Sequence, residues 1–391
     1  MADHTVRVAL VAGPMYDPLY ETVACFEQTT GLEVDVSHRS PHGELNAHLA
    51  SLDDMPYDLI STHTKYAPSQ LSFLAAIDDF AEQVEVASFY PLTTDLAKVG
   101  GQLFGIPRNI DVKLLHYRTD LVDRVPASWD ELAETARKLG NRGCCYGFDF
   151  TGMGSGLFGM FFELAEMGGT SLFPVSDAPL LNSEGGAWAL QLIRKLYRSG
   201  AAPVEVANWQ YDEAHRFFRD GHAAMICDWP GYYGAYRDAV TSRVSNDLGL
   251  ARMPVGPTGI HKAYAGCHTF ALTRHGIKKP GALELLRFLT APKQQLVEAR
   301  QGAVPTRPAV LAEIVAEAKG LDGERWRLLD LVIANDMLIP PRLACYPEIE
   351  DTIWRTVRSV MTGEFDADEA LDTMERRIRD CHVVHSQRGR G

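Results

Sequence analysis

The sequence lacks the marks of most familiar chemistries. No stretch approaches eighteen uninterrupted apolar residues, the length a membrane-crossing helix needs. There is no excess of positive charge: 38 lysines and arginines stand against 51 aspartates and glutamates, a formal net charge of −13. A nucleic-acid binder needs a basic footprint, as does a protein that docks on anionic lipid, so both classes fall away. The seven cysteines, Cys25, Cys144, Cys145, Cys227, Cys267, Cys345 and Cys381, are odd in number and include no CxxC pair, which argues against a thiolate zinc site. They are expected to be small buried hydrophobes, and the adjacent Cys144 and Cys145 are not expected to bridge. HExxH and GxSxG are absent, as are internal repeats and low-complexity blocks. Residues 6–11 are too short for a signal-peptide core, carry Arg7 and follow no basic leader. Two readings of that absence stand: a chain whose export leader has been removed, or a cytoplasmic protein.

What is present is an ordinary globular composition and an alternation. With 391 residues, 46% of them hydrophobic and 23% charged, the chain has room for two or three domains and a large core. Residues 6–12 read as a β-strand closed by Gly13 and Pro14. Residues 18–29 put Leu19, Val23 and Phe26 on one helical face, and Gly31 stops them. A second strand at 32–36, a helix at 43–52 and a third strand at 57–61 follow. Strands separated by helices imply parallel pairing through crossovers, and ligands of such sheets sit outside the carboxyl ends of the strands. That rule singles out Tyr16 and Asp17 after the first strand, and His63, Thr64 and Lys65 after the third.

Further along, strand-like pieces flank Arg108, Asn109, Ile110 and Asp111. Ser128 reads as the N-cap of a helix running to Leu139, and 146–150 as a strand. Helices are expected at 157–167, 188–198 and 211–219, and 225–229 is a strand that ends on polar and aromatic residues. A strand at 266–272, a helix at 280–289 and a mostly helical remainder to 382 complete the pattern, with Asp366 as a late helix cap.

Five segments in order now resemble one family. Gly101-Gln102-Leu103-Phe104-Gly105-Ile106-Pro107 resembles the crossover of the extracellular solute-binding proteins of ABC importers, of the carbohydrate-binding type. The helix start Pro126-Ala127-Ser128-Trp129-Asp130-Glu131-Leu132 is similar to the family's, as is the segment from Phe217 through Gly221 and Met225 to Trp229. Phe288-Leu289-Thr290-Ala291-Pro292-Lys293-Gln294-Gln295, and Tyr346-Pro347-Glu348-Ile349 with Gly363 and Glu369-Ala370-Leu371, complete the set. The resemblance spans roughly residues 5 to 380. It implies an α/β, two-lobed periplasmic-binding-protein fold of type II, two lobes joined by a multi-crossing hinge with a ligand cleft between them. By the same token it implies one lobe from 1–110 plus 262–305, another from 111–261 plus 306–384, and a flexible tail at 385–391.

The resemblance further implies a monomeric, periplasmic or extracellular receptor, membrane-tethered or free. It would capture a carbohydrate by lobe closure and pass it to ABC transporter permease subunits, without catalytic residues, cofactor, metal or nucleic acid. Alternatives kept open are a non-sugar solute (a glycerophosphodiester, a polyol or ferric ion), a sensor that signals to another partner, and a glycoside-acting enzyme working through two carboxylates.

Candidate contacts follow from position. Trp229 and Tyr232, in an aromatic cluster after a strand, suit stacking on a sugar face, and in the family an aromatic at this place does so. The vicinal Tyr232 and Tyr233 also bear on the ferric alternative. Asn109 and Asp111 fall at the first expected hinge crossing, where a carboxylate suits hydroxyl donors. Gly154-Ser155-Gly156-Leu157-Phe158-Gly159 matches GxGxxG in a strand-to-helix setting, yet no acidic strand end follows to hold a ribose. Bare amides of Gly154 and Ser155 facing a ligand are the expected use. Gly266, Cys267 and His268 align with a cleft-lining segment of the family. Lys65, Arg108, His63, His268 and Arg342 raise the expectation of an anionic sugar if two or more face the cleft.

Overall fold

The computed structural model describes residues 5–140, 143, 145–173 and 181–388. The β-branched run at the start forms β1 (Thr5–Val11), and the next helix and strand are α1 (Asp17–Thr30) and β2 (Glu33–Ser40). Gly31 ends α1 with φ of 74°, the left-handed conformation that glycine adopts without penalty. Then come α2 (His42–Ala50) and β3 (Leu59–His63). As expected from the alternation, β1 pairs in parallel with both β2 and β3.

The sheet does not stay parallel. The chain continues into β4 (Ile106–Val112) and turns at once into β5 (Leu114–Arg118), which belongs to a different sheet. Two helices, α3 (Trp129–Gly140) and α4 (Gly154–Met167), are followed by α5 (Glu184–Arg198), α6 (Tyr211–Arg219), β6 (Met225–Asp228) and β7 (Leu248–Ala251). β6, β5 and β7 form a three-stranded antiparallel sheet. β8 (Ala263–Leu272) then returns to the first sheet and inserts antiparallel between β3 and β4. After α7 (Pro280–Leu289), β9 (Val304–Pro305) pairs with β4 and β10 (Met337–Leu338) with β8, completing a sheet of seven strands.

Two large cores organise the chain. Val8, Leu10, Phe26, Ile60, Phe270 and Leu285 pack together around the larger sheet. Trp129, Phe148, Phe158, Phe161, Ile193 and Ile353 pack in the second lobe, under α8 (Tyr346–Thr362) and α9 (Ala367–Arg388). Truncation of a fully buried aromatic such as Phe158 is a change of about 3–5 kcal/mol.

Three expectations need amendment. Residues 146–150 make only isolated bridges, Tyr146 to Ala223 and Asp149 to Ile226, because the amides of Gly147 and Phe148 bond the Ala201 carbonyl instead. Helix α9 runs through 385–388, where a tail was expected, and 389–391 lie outside the described residues, as does Cys144. Finally, Cys345 and Cys381 form a disulfide, whereas Cys25 is exposed and Cys267 buried as free thiols. The capping expectation for Asp366 holds, since its carboxylate accepts the amides of Asp368 and Glu369.

The disulfide joins the residue that precedes α8 to the middle of α9, across 36 residues. Closing a loop of that length restricts the unfolded chain by about 3–4 kcal/mol. The Cys345→Ser/Cys381→Ser variant should therefore melt about 4 °C below the parent, and reducing agent should lower the parent to the same value. Calorimetry with and without reductant checks this; equal melting of parent and variant under oxidising conditions would remove the bond from the account of stability.

Candidate functional site

Strand register builds one wall of the cleft. In β8, His268 lies opposite His63 of β3 on one side and Asn109 of β4 on the other, and Gly266 lies opposite Asp111. Directly opposed residues of neighbouring strands project from the same face, so three segments far apart in sequence deliver one polar group. His268 Nε2 sits 2.8 Å from Asp111 Oδ2, and Asn109 Nδ2 donates to Asp111 Oδ1 at 2.7 Å. The Tyr16 hydroxyl lies 3.3 Å from His268 Nε2. His63 lies over Gly266, where an added Cβ would come within 2.3 Å of its ring, so the wall requires glycine there. The amide of Lys65 donates to His63 Nδ1 at 3.1 Å. His42, the first residue of α2, brings a third imidazole beside these two.

The facing wall is aromatic. Trp229 and Tyr232 follow β6, Tyr211 and Asp212 open α6, and Gly154 and Ser155 open α4. Trp229 packs edge-on against Tyr211 and Tyr264, with ring centroids 6.1 and 5.7 Å away. The two walls enclose a cavity of about 300 Å³. A second opening of about 380 Å³ shares Tyr16 and Tyr232 and is lined by Arg108 and Asn109.

Charge in this region is paired. Lys65 Nζ lies 2.7 Å from Glu350 Oε1 and also donates to Ser155 at 2.5 Å and Tyr264 at 3.1 Å. Burial alone would lower its pKa, but the Glu350 charge outweighs that and keeps the ammonium protonated. Tyr66 donates to the other oxygen of Glu350. Arg108 grips Glu298 through two nitrogens, and Lys113 lies 3.1 Å from Glu163. Asp111 differs from these carboxylates, since its close contacts are Asn109 and His268. Burial, with the neighbouring His268 and Lys65 adding to it, holds His42 and His63 well below the ordinary imidazole range, so both are neutral at pH 7.

Of the residues singled out from sequence, Tyr16, His63, Lys65, Asp111, Gly154, Ser155, Trp229, Tyr232 and His268 line the cavity. Arg108 and Asn109 line the adjoining opening. Thr64 and Cys267 are buried in the strand pairing, with the Thr64 amide on the Cys267 carbonyl. Gly266 underlies His63. Asp17 points outward, 3.5 Å from Arg39, and Arg342 is exposed, donating to the carbonyls of Asp95 and Lys98. Of the five groups behind the anionic expectation, Lys65, His63 and His268 line the cavity, Lys65 and Arg108 are paired with buried carboxylates, and Arg342 lies elsewhere. The tyrosine pair does not converge either, as Tyr232 donates to Asp212 and Tyr233 to Asp322.

Sequence reasoning missed His42, Tyr211, Asp212 and Tyr264 on the cavity, and Glu350 behind it. For His42 a signal existed, because it follows the second strand as Tyr16 follows the first.

The sequence profile of the bacterial extracellular solute-binding protein family matches residues 21–321. A probable ABC transporter-binding protein of Deinococcus radiodurans is 28% identical over 305 residues, covering 74% of this chain and 72% of the relative. Among solved structures, the maltose-bound MalE3 of T. maritima superposes with a TM-score of 0.87 at 25% identity, covering 96% of this chain and 99% of the other. An ABC transporter solute-binding protein of Agrobacterium radiobacter K84 in complex with ribitol gives 0.85 at 22% identity, covering 96% and 98%, and shares the two-lobed fold.

Removing one partner of a buried ion pair leaves the other charge uncompensated, a change of about 3–5 kcal/mol, whereas replacing both with apolar groups is often neutral. Glu350→Gln should lower the unfolding free energy by about that amount, and the Lys65→Met/Glu350→Leu double variant should recover most of it. Denaturant melts of the parent, the Lys65→Met and Glu350→Gln single variants and the double variant check this. Additive losses would mean that the pair is not coupled.

Proposed function

The chain belongs to the family of bacterial extracellular solute-binding proteins, and from that premise we propose that it captures a neutral carbohydrate or polyol in the cleft and presents it to an ABC transporter permease. The observation that carries this reading is the composition of the cavity. One wall is aromatic, the other offers imidazoles and a carboxylate, and Lys65, Arg108 and Lys113 are each held by a buried carboxylate. An anionic ligand would find no uncommitted cation among these three groups, and would meet Asp111, Asp212 and Glu213 besides. A neutral polyhydroxy ligand meets acceptors for its hydroxyl hydrogens, donors for its oxygens and the face of Trp229 for its C–H bonds.

The relatives support the same class, one bound to maltose and another to ribitol. Capture would follow the family's lobe closure about the few segments that pass between the sheets, near residue 113 and through 252–262. No chemical step is assigned: the acidic groups of the cavity serve as hydrogen-bond acceptors. A periplasmic or extracellular site of action suits the Cys345–Cys381 disulfide, which persists in oxidising compartments.

The test is a thermal-shift screen of neutral sugars, polyols, sugar acids and glycerophosphodiesters, followed by calorimetric titration of any hit. A neutral ligand at a hundred times its dissociation constant should stabilise the protein by about 2.7 kcal/mol. Trp229→Ala should then weaken binding by about tenfold or more, with the variant's own unfolding free energy in the absence of ligand measured to separate lost contact from lost packing. Hits confined to anions, or full affinity in the tryptophan variant, would reject the reading.

A further inference from the structure

The imidazole wall has a property that carbohydrate capture does not require. One ring nitrogen each from His63 and His268 and a carboxylate oxygen of Asp111 all lie within 4.8 Å of one another. The three residues are only 7%, 7% and 5% exposed. Within the group, His268 Nε2 and Asp111 Oδ2 lie 2.8 Å apart, a hydrogen-bonding distance that would have to open by about half an ångström to span two metal bonds of about 2.0–2.1 Å at a tetrahedral angle.

Two further observations point to an occupant. Buried imidazole nitrogens normally have hydrogen-bond partners, yet His268 Nδ1 and both ring nitrogens of His42 have none among the described residues. The His42 ring lies 4.7 Å from that of His268 and 5.5 Å from that of His63, centroid to centroid. Secondly, Asp111 lacks the cation that Glu350, Glu298 and Glu163 each have. Among the described residues, its one ionisable partner within 4 Å is the His268 ring. Lone pairs without donors and a carboxylate without a fixed cation are both answered by a positive ion.

We propose that this wall binds one divalent transition-metal ion of the zinc class through His63, His268 and Asp111, with His42 as a further donor. Imidazole and carboxylate together suit zinc, cobalt and nickel better than magnesium or calcium, which prefer oxygen alone. His63, His268 and Asp111 leave a fourth position that His42 fills in the empty cleft and that an oxygen of a captured solute can take over, with expansion to five-coordinate for a chelating ligand such as a vicinal diol. Ligation has a definite consequence at His63. Its Nδ1 accepts the Lys65 amide, so the proton of the neutral ring sits on Nε2. Binding through Nε2 moves that proton to Nδ1 and gives up the amide bond. At His268 the unpartnered Nδ1 is free to take the proton that now faces Asp111.

Chelator-stripped protein titrated calorimetrically with ZnCl2, and with CoCl2 while the visible spectrum is recorded, tests this. One equivalent should bind, with ligand-field bands for cobalt and no response to MgCl2 or CaCl2. His268→Ala, His63→Gln and Asp111→Asn should each weaken binding about a hundredfold or more. His38 and His48 stack at 3.7 Å on another part of the chain and are the competing surface pair. The His38→Ala/His48→Ala variant should bind like the parent. Absence of binding at millimolar zinc, retention of the equivalent in both His63→Gln and Asp111→Asn, or its loss in the surface-pair variant would overturn the proposal. Melting curves of each variant separate lost ligation from lost folding. The proposal stands apart from carbohydrate capture, which is read from the stripped protein's response to sugars.

Discussion

The return of β8 into the first sheet is the constraint from which the cleft follows. All ten of its residues are buried, and it takes hydrogen-bonding partners on both sides, β3 and β4. A strand in that position cannot slip by one residue without sending its core side chains to the opposite face. Register therefore fixes His268 between His63 and Asn109, and Gly266 beside Asp111. Because the chain leaves the sheet after β4 and comes back at β8, everything between them is obliged to fold as a second body facing that wall.

Electrostatics then decide what the wall can accept. Burying a lysine or arginine is tolerable only with a partner, and Lys65, Arg108 and Lys113 each have one supplied by a distant helix. These pairs neutralise the floor of the cleft and leave its recognition to uncharged donors, acceptors and rings. Lys65 shows how far this goes: its ammonium contacts Ser155, Tyr264 and Glu350 simultaneously, so it acts as a fastening between β3's loop and α8. His42 and His63, kept neutral by burial with the neighbouring Lys65 charge adding to it, extend the same logic.

Much of this was legible in the sequence because periodicity and strand-end position are local. The strands and helices of residues 5–63 fall within a few positions of where their patterns put them, and Tyr16, His63, Lys65, Trp229 and His268 reach the cavity by the strand-end rule or by resemblance. What could not be read was pairing across long separations. Lysine and arginine at strand ends look like ligand contacts until Glu350 and Glu298 are seen to meet them, 285 and 190 residues away. The same holds for Cys345 and Cys381, and for 146–150, where a strand-like pattern gives its amides to the Ala201 carbonyl. Arg342 shows the same limit, since its exposed guanidinium donates to the carbonyls of Asp95 and Lys98, 247 and 244 residues away.

The glycine run at 154–159 shows how a motif acquires a different use through packing. Gly154 opens α4 on the cavity, but Gly156 and Gly159 face inward. A Cβ on Gly156 would lie 2.4 Å from Thr151, and one on Gly159 would lie 2.5 Å from the Tyr264 ring. Close approach of α4 to β8 therefore depends on Gly159, and it is this approach that seats Tyr264 beneath Lys65 and Trp229. On the same helix, Glu163 accepts the Tyr264 amide at 2.6 Å and holds Lys113, whose ammonium lies 5.3 Å from the Trp229 ring centroid. One helix face thus fixes both the aromatic surface and the charge beneath it. A phosphate-cradling reading would need those glycines to present bare backbone to a ligand, and two of the three are spent against protein.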